Sequence, residues 1–535
     1  MLPRSAPDGQ CIRVCIPDTT RCQDRISGPA GAINFKIQRE EKRMARRIAG
    51  ILLQVIAGTL VCVAPIHAQN GAQNGPPPGP PSTVAQAWAT GDLSQIESEA
   101  VGWLQGLIRI NTTNPPGNEL VTAKYLAGIL EREGIHSEIF ESTPGRGFLV
   151  ARLSSSAVPD PSRALLLMGH LDVVGVDKTK WTVDPFGGVI QGNYLYGRGA
   201  FDDKGMTAAN LAVFVALKRA NARLSRDVIL LAEGDEEAGG TEGMKFAVEK
   251  HWDKIAAGYA INEGGRVAVK GGKIQYVGIQ TSEKVSINVD VIAKGTSGHG
   301  SMPRPDNAVV HVAAAIAKIG TYETPIQFTP VTRAYFAGLA PIEDDETGKW
   351  MRALESPDRG DHAARWISSA NLTWNAMLRD TISPTMLQAG VRQNVIPSEA
   401  RGVLNIRLLP GNMIDPLVAK LQQLVNDPQI HFEIEPGGGE SAPSSSQTSD
   451  LYNSIARVAG KEFPGAAVVP LMSTGATDSM PLRIRSVQAY GVLPFPLAED
   501  DYLRMHADDE RIPVDSFRKG IEFLYAIVSD FAVAK

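Results

Sequence analysis

Short apolar segments alternate with amphipathic helical segments along most of the chain, and this alternation limits the fold more than any other feature of the sequence. Residues 228–232 are an uninterrupted apolar run of strand length, and residues 206–220 have apolar side chains at helical spacing. Strands separated by helices of this length pair in parallel, and the helices cover both faces of the sheet. The sequence therefore predicts an α/β fold with a mostly parallel sheet. The same pattern predicts further helices and strands over residues 119–133, 148–151, 164–168, 449–459, 488–493 and 514–531.

The pattern changes after about residue 278, where strands and helices alternate in a second style. Residues 285–293 and 402–408 have strand periodicity, and helical segments follow them at residues 308–319 and 416–425. Two strand–helix units on one sheet are typical of a small α+β domain of the ferredoxin-like type.

The chain has 535 residues, more than a single compact core accommodates, so we expect more than one domain. We predict a main domain formed by residues 83–280 and 440–535. The α+β domain is expected as an insertion, residues 281–439. Residues 328–386 fit neither style and are interpreted as an elaboration of the insert.

The first 68 residues lack the pattern of a folded domain. Residues 44–68 have the three parts of a secretory signal peptide, namely a short basic start, an apolar stretch and a small residue at the cleavage position, Ala68. The apolar stretch is shorter than the ~20 residues that a membrane-spanning helix needs, so we expect no stable membrane span. Residues 1–43 are interpreted as a non-native region upstream of the true start, and residues 69–82 as a Pro/Gly-rich linker. The mature protein is therefore expected to be secreted or periplasmic.

Cysteine positions and charge exclude several classes of function. The four cysteines all fall within the predicted leader and are Cys11, Cys15, Cys22 and Cys62. The rest of the chain can therefore form neither a disulfide nor a thiolate metal site. The formal net charge is −5, and because basic residues are in excess within residues 1–68, the remainder is more acidic still. An acidic body argues against nucleic-acid binding, which requires a basic face.

Two polar motifs lie where α/β sheets place ligand sites. His170 and Asp172 end an apolar strand, and side chains at this spacing point to the same side. They are either a metal-binding imidazole with a carboxylate on its other ring nitrogen, or a satisfied polar pair at a strand end. In the glycine-rich segment YGRGAFDDKGM, Asp202 or Asp203 either binds a cation or caps the following helix. This turn lacks the lysine–hydroxyl ending of a phosphate-binding loop, and two aspartates repel a phosphate.

A run of three acids follows the apolar strand that ends before GDEEAGG. Neighbouring residues on an extended backbone point to opposite sides, so Glu236 and Glu237 can have different roles. No role is assigned to Asp235. Glu263 follows another predicted strand, and His506 lies just before the last predicted helix.

Together these motifs supply imidazole and carboxylate groups but no thiolate. Such a ligand set suits zinc or a similar divalent ion. Burying several like charges together without a cation is costly. The sequence therefore predicts a metal centre at the carboxyl ends of the strands.

The order of these motifs resembles the M20 family of zinc-dependent metallopeptidases and aminoacylases. The shared pattern runs H-x-D, G-R-G-x-x-D-D-K-G, D-E-E and N-E-G-G, followed by a late histidine, and NTTNPPG at residues 111–117 resembles a typical family opening. The long insert and the stretch WTVDPF…YGRGAFDDKG are most similar to the carboxypeptidase S branch. The resemblance implies a catalytic domain with a co-catalytic zinc site and an inserted lid domain.

The resemblance also implies a role for each motif residue. It implies two zinc ions per subunit, with cobalt or manganese as alternatives. The implied metal ligands are His170, Asp202, Glu237, Glu263 and His506. Asp202 would bridge both ions, Asp172 would orient His170, and Glu236 would act as the general base.

Further residues are implied to face the substrate. His299 in the lid would stabilise the oxyanion, and the implied substrate-binding residues are Asn394, Arg407, Gly475 and Thr477. From the residues alone, His299 also fits a turn histidine and Arg407 a surface-paired strand residue. A lid histidine that acts on another subunit requires a homodimer through the lid, whereas a lid closed by the long insert allows a monomer.

The expected activity is metal-dependent hydrolysis of an amide bond. It would release a C-terminal amino acid from short peptides or N-acyl amino acids. The alternative is an aminoacylase or deacylase of non-peptide N-acyl amino acids. A catalytically inactive binding protein on the same fold would lack the base or a ligand, and the sequence retains all of these residues.

Overall fold

The computed structural model describes residues 92–534. The predicted signal peptide, the linker, the region before Met44 and the cysteines lie outside the described residues. The strands are β1 (Ser137–Thr143), β2 (Arg146–Leu153), β3 (Leu165–His170), β4 (Val189–Gln191), β5 (Tyr194–Tyr196), β6 (Val228–Glu233), β7 (Tyr259–Asn262), β8 (Arg266–Lys270), β9 (Lys273–Glu283), β10 (Val285–Lys294), β11 (Gly298–His299), β12 (Thr381–Ala389), β13 (Val395–Ile396), β14 (Glu399–Leu408), β15 (Ile430–Ile434), β16 (Ala467–Ser473), β17 (Gln488–Gly491), β18 (Pro496–Ala498) and β19 (Arg511–Pro513). The α-helices are α1 (Asp92–Arg109), α2 (Glu119–Arg132), α3 (Lys204–Arg219), α4 (Met244–Lys250), α5 (Trp252–Ile255), α6 (Ala308–Gly320), α7 (Pro330–Leu339), α8 (Asp345–Ala353), α9 (Gly360–Ala370), α10 (Leu372–Met377), α11 (Ile414–Val425), α12 (Asp450–Glu462), α13 (Ser479–Ile484), α14 (Glu499–Tyr502) and α15 (Val514–Ala532).

A large sheet forms the centre of the described chain. It has 10 strands among these residues, in the order β1-β2-β6-β3-β7-β17-β9-β8-β18, with β16 beside β9. The central strands β6, β3, β7 and β17 are parallel, as are the pairs β16–β9 and β18–β8. At one edge β1 and β2 continue the sheet in antiparallel fashion. The predicted α/β fold with a mostly parallel sheet is confirmed.

Helices cover both faces of this sheet because its central strands are apolar on both sides. β3 and β6 are buried along their whole length. Helices α1, α3, α12 and α15 pack on one face, and α4, α5 and α13 pack on the other. Polar side chains can therefore gather only at the ends of the central strands.

A second sheet is antiparallel and has the strand order β12-β14-β10-β15. Helix α6 lies between β10 and β12 in the chain, α11 lies between β14 and β15, and both pack on one face. This order and connection are those of a ferredoxin-like unit. Along β14, Leu404, Ile406 and Leu408 face the helices, so Asn405 and Arg407 face the opposite side.

Helices α7 to α10 occupy most of the segment that fitted neither predicted style. Their apolar side chains, including Phe336 and Met351, pack with Val469 and Met472 of β16. This part of the insertion therefore rests on the large sheet, while β12, which follows it, joins the second sheet.

The two sheets meet where β9 continues into β10. Lys284 at this junction is buried, and its Nζ donates to the carbonyl oxygens of Ala376 and Arg379 at 3.1 and 2.8 Å and to the hydroxyl of Thr381 at 2.9 Å. Burial lowers the pKa of Lys284 to about 7. The junction is thus tied to the end of the helical insertion by a lysine without a directly bonded carboxylate among the described residues.

No helix in the described range is long and apolar enough to cross a membrane.

Candidate active site

The metal ligands implied by the sequence converge at the carboxyl ends of the central strands. His170 ends β3, Glu237 follows β6, and Glu263 follows β7. Asp202 precedes α3, and His506 lies in the loop before β19. Open α/β sheets place ligand sites at this edge, and the strand order brings these segments together.

Two groups of donor atoms share one carboxylate. Ligand atoms of His170, Asp202 and Glu263 lie within 4.8 Å of one another, as do those of Asp202, Glu237 and His506. Nε2 of His170 is 3.1 Å from Oδ1 of Asp202, and Nε2 of His506 is 2.9 Å from its Oδ2. The two oxygens of Asp202 therefore face two different groups.

The site gathers several buried carboxylates, and bound divalent cations would balance their negative charge. Burial raises the pKa of Glu236 well above its usual range, and the negative charge of Glu263 raises it further. Burial likewise raises the pKa of Glu263, with Asp202 as the next cause. Burial opposes ionisation of Asp202, but hydrogen bonds to His170 and His506 hold its pKa below its usual range. Nitrogen and oxygen donors without thiolate are the ligands that zinc and similar ions accept, so the donor set fits such metals.

Asp172 fixes both the first histidine and the acidic turn. Nδ1 of His170 is 3.0 Å from the backbone oxygen of Asp172 and 3.5 Å from its Oδ1. The same carboxylate accepts the backbone N–H groups of Glu236 and Glu237 at 3.2 and 3.1 Å. It therefore orients the imidazole and also holds the turn that carries the candidate base.

Asp235 supports this turn and is not a metal-ligand candidate in the geometry. Its backbone is left-handed, with φ 69°. Its carboxylate accepts from Arg146 at 2.6 Å, from the Asn114 amide at 3.0 Å and from the Glu242 N–H at 2.9 Å. Sequence reasoning assigned none of these partners, because an arginine at the start of a strand and an asparagine in a distant loop give no local signal.

Arg407 lies on the open face of the second sheet, close enough to the candidate base Glu236 for their charges to interact. A cavity of about 380 Å³ is lined by Arg407, Asn405, Asn288, Arg401 and Glu435, among others. Burial lowers the pKa of Arg407, and the charge of Glu236 opposes this change. Within residues 92–534, no acid forms an ion pair with Arg407, so its guanidinium is available to an anion.

His299 and Asn394 lie together but apart from the donor groups. β11 pairs with β13, and the N–H of Gly300 donates to the carbonyl of Asn394. Both side chains are exposed, and Nδ1 of His299 is 2.8 Å from the Ser301 hydroxyl. The contacts of the described residues do not join either side chain to a metal-ligand candidate.

The loop with Gly475 and Thr477 contacts the sheet junction. The hydroxyl of Thr477 is buried and donates to Glu283 at 2.6 Å, and the N–H of Gly475 donates to Ser473 at 3.1 Å. The hydroxyl of Thr477 is thus occupied by a protein carboxylate in this structure.

The model for peptidase family M20/M25/M40 matches residues 166–530, which include every donor residue described above. The chain belongs to this family. It is therefore a hydrolase of a metal-dependent family, and the resemblance found in the sequence is confirmed.

Relatives in the family have several activities in their names. The chain is 28% identical over 386 residues to the probable carboxypeptidase S-like 2 of Dictyostelium discoideum, covering 69% of this chain and 72% of that protein. It is 26% identical over 377 residues to the human N-fatty-acyl-amino acid synthase/hydrolase PM20D1, covering 69% and 75%. The M20 family metallo-carboxypeptidase of Sulfolobus solfataricus has the same fold, with a TM-score of 0.63, 21% identity and coverage of 81% and 99%.

Asp202 is the one residue that the two groups of donor atoms have in common. Two functional candidates were missed by sequence reasoning. Glu510 is fully buried, and Arg198 contacts it at 2.8 Å. The available signal was the position of Glu510 in the same loop as His506, and of Arg198 in the same loop as Asp202.

Proposed function

We propose that the chain is a two-zinc amide hydrolase that releases the C-terminal amino acid from short peptides or N-acyl amino acids. The observation that carries this proposal is Asp202, whose two oxygens face two donor groups at 3.1 and 2.9 Å. Glu236 precedes the ligand candidate Glu237 in the chain, and its charge interacts with those of Glu263 and of Arg407 in the second sheet.

His170, Asp202 and Glu263 would hold one zinc ion, and Asp202, Glu237 and His506 the other. The chemistry that two zinc ions supply when bound is a lowered pKa for a water molecule and polarisation of the carbonyl that is attacked.

Glu236 is the general base in this proposal. Asp172 accepts the backbone N–H groups of Glu236 and of the ligand candidate Glu237, which fixes the turn that carries both carboxylates. A carboxylate oxygen of Glu236 takes a proton from water as the amide carbon is attacked, and it then delivers that proton to the leaving nitrogen.

Arg407 binds the carboxylate of the released amino acid. Nε of Arg407 donates to Oδ1 of Asn405 at 3.0 Å, which leaves both terminal nitrogens for a forked contact with a carboxylate. The Asn405 amide donates to Asn288 at 2.9 Å, and Asn288 donates to Glu435 at 3.1 Å. This chain of hydrogen bonds across the sheet fixes the guanidinium plane.

An aminoacylase of non-peptide N-acyl amino acids is the second candidate. It uses the same metals, base and arginine, and differs only in the group that occupies the acyl side. The 26% identity to the N-fatty-acyl-amino acid synthase/hydrolase supports it.

The second sheet serves as a lid, and we place a homodimer contact on it. β12 is an edge strand whose outer residues are exposed, including Met386 and Leu387. Exposed edge strands of this kind pair readily with another chain. His299 would then reach the site of the other subunit, where it would donate to the oxyanion.

Export is part of the proposal and rests on the signal-peptide pattern of residues 44–68. Cell fractionation with N-terminal sequencing tests it. A native protein that retains residues before Met44 would contradict both the start and the cleavage.

A substrate panel tests the function. Purified protein is assayed on dipeptides, N-acyl amino acids of increasing acyl length and the corresponding C-terminal amides, before and after chelation and zinc restoration. We expect turnover only of free carboxylates, lost on chelation and regained with zinc. Turnover that survives chelation, or equal rates for acids and amides, would overturn the proposal.

A further inference from the structure

A buried carboxylate holds the backbone of the loop that carries Asp202. Oε1 of Glu510 accepts the N–H groups of Phe201 and Asp202 at 2.9 and 3.0 Å. Its Oε2 accepts the N–H of Gly199 at 3.1 Å and Nη1 of Arg198 at 2.8 Å. The loop immediately before α3 is therefore wrapped around a single side chain.

Arg198 extends this contact to the loop that carries His506. It is 2% exposed, and its Nη2 donates to the carbonyl of His506 at 3.2 Å. The guanidinium also lies over the ring of Trp181, with 5.3 Å to the centroid. Arg198 belongs to the loop of Asp202 and binds the loop of His506. Glu510 belongs to the loop of His506 and binds the loop of Asp202.

The two histidines differ in how they are held. His170 is 2% exposed and has Nδ1 fixed by Asp172. The side chain of His506 is 48% exposed, and its described side-chain partners are Asp202 and Glu237, which are themselves ligand candidates. His506 also has a positive φ of 60°, an uncommon conformation for a residue with a side chain. Its placement therefore depends on its backbone, and Arg198 holds that backbone.

We propose that the Arg198–Glu510 pair is a positioning device that sets the place of His506 relative to Asp202, and thereby the affinity of the second metal position. A buried ion pair need not add stability, but it can impose one geometry on the segments that it joins. Side chains behind metal ligands typically change metal affinity by about 10- to 100-fold when they are replaced. The second position, formed by Asp202, Glu237 and His506, depends on the pair through two of its ligands, whereas the first position depends on it through Asp202 alone.

This inference rests on the proposed two-metal function. Measuring the binding of the first and second zinc ions separately distinguishes a failure of the inference from a failure of that function. Metal-free wild type, Glu510→Gln and Arg198→Lys are titrated with zinc against a chromophoric chelator, and folding is checked by circular dichroism. Arg198→Lys keeps the charge but loses the planar guanidinium that donates through Nη1 to Glu510 and through Nη2 to the His506 carbonyl, so it is the milder variant. We expect the second zinc to bind about 10- to 100-fold more weakly than in wild type and the first to be weakened less.

Glu133→Gln is the matched control. Glu133 bonds Arg219 at 2.6 Å, at the opposite end of α3 from Asp202. This variant should bind both zinc ions with wild-type affinity. Folded Glu510→Gln or Arg198→Lys proteins with wild-type affinity at the second step would overturn the inference alone. A wild type that binds one zinc would overturn the two-metal function and the inference together. If neither Glu510→Gln nor Arg198→Lys folds, the pair is required for folding, and the positioning role is overturned.

Discussion

Glu236 and Glu237 are adjacent in the chain but have different surroundings. Oε1 of Glu237 is 3.0 Å from Nε2 of His506, whereas Glu236 interacts with the charges of Glu263 and Arg407. Asp172 accepts the N–H of both residues, so the turn between them is fixed. The division of the pair into a ligand and a base stays a prediction.

Replacing Glu236 by Gln should remove proton transfer while retaining the metal ligands. We expect kcat to fall by about 100- to 10,000-fold, the usual contribution of a general base. Zinc content by elemental analysis should equal that of wild type. A variant with near-normal kcat would show that Glu236 is not the base.

Replacing Arg407 by Lys should weaken recognition of the substrate carboxylate, because an ammonium cannot reproduce a forked contact. We expect KM for free acids to rise about 10- to 100-fold, consistent with the loss of a charged hydrogen bond. Arg401→Lys is the control, since Arg401 lies on the same strand but is already paired with Asp290 and Glu435 at 2.7 Å. Equal KM values for the two variants would remove the role assigned to Arg407.

Among the elements, the junction of β9 and β10 carries an unusual charge. Lys284 is buried, and its pKa is lowered to about 7 from its usual value of 10.5. Between about pH 7 and pH 10.5, Lys284 keeps its proton in the unfolded chain but has released it in the folded chain. Rising pH in this range therefore favours the folded state. Below about pH 7 both states hold the proton, and this group adds no pH dependence.

Replacing Lys284 by Met should therefore change the pH dependence of stability. From about pH 7 to about pH 10, the stability of wild type should rise relative to that of the variant. Thermal unfolding of both proteins at several pH values measures this difference. Lys294→Met, at the exposed end of β10, controls for the loss of a lysine. A difference between wild type and Lys284→Met that does not vary with pH would contradict the assignment.

Helices and strands were predictable where the pattern of apolar side chains within the segment itself indicates them. The helix expected over residues 206–220 is α3 (Lys204–Arg219), and the strand expected over residues 228–232 is β6 (Val228–Glu233). Convergence of His170, Glu237 and Glu263 followed from one rule, that parallel strands end at a common edge. Packing of the helical insertion on β16 was not predictable, because residues that meet there, such as Phe336 and Val469, are far apart in the chain. Glu510 was missed for the same reason, since its partners are backbone groups of another loop.

At the scale of the whole molecule, the placement of His299 bears on assembly. It is exposed on the ribbon of β11 and β13, whereas Arg407 of the same unit is close enough to Glu236 for their charges to interact. In the proposed function, Arg407 serves the site of its own chain and His299 serves the site of a neighbour. This arrangement supports the proposed homodimer.

Two inactive variants should complement each other if His299 acts across the dimer. Co-expressed Glu236→Gln and His299→Ala chains should recover about a quarter of wild-type activity, because half of randomly formed dimers are mixed and each has one complete site. Glu236→Gln with Arg407→Met is the control, because both residues serve the same chain and no complete site forms. Absence of recovery in the first mixture would exclude action across subunits.

The position of β17 in the large sheet has a consequence for synthesis. In the large sheet β17 lies between β7 and β9. In the chain it comes after both of these strands and after every strand of the second sheet. During synthesis β7 and β9 emerge first and present open edges, which are liable to pair with other chains. The four residues of β17 close that gap only late. His506 emerges later still, so the complete donor set cannot capture a metal ion until the sheet that supports it has all its strands.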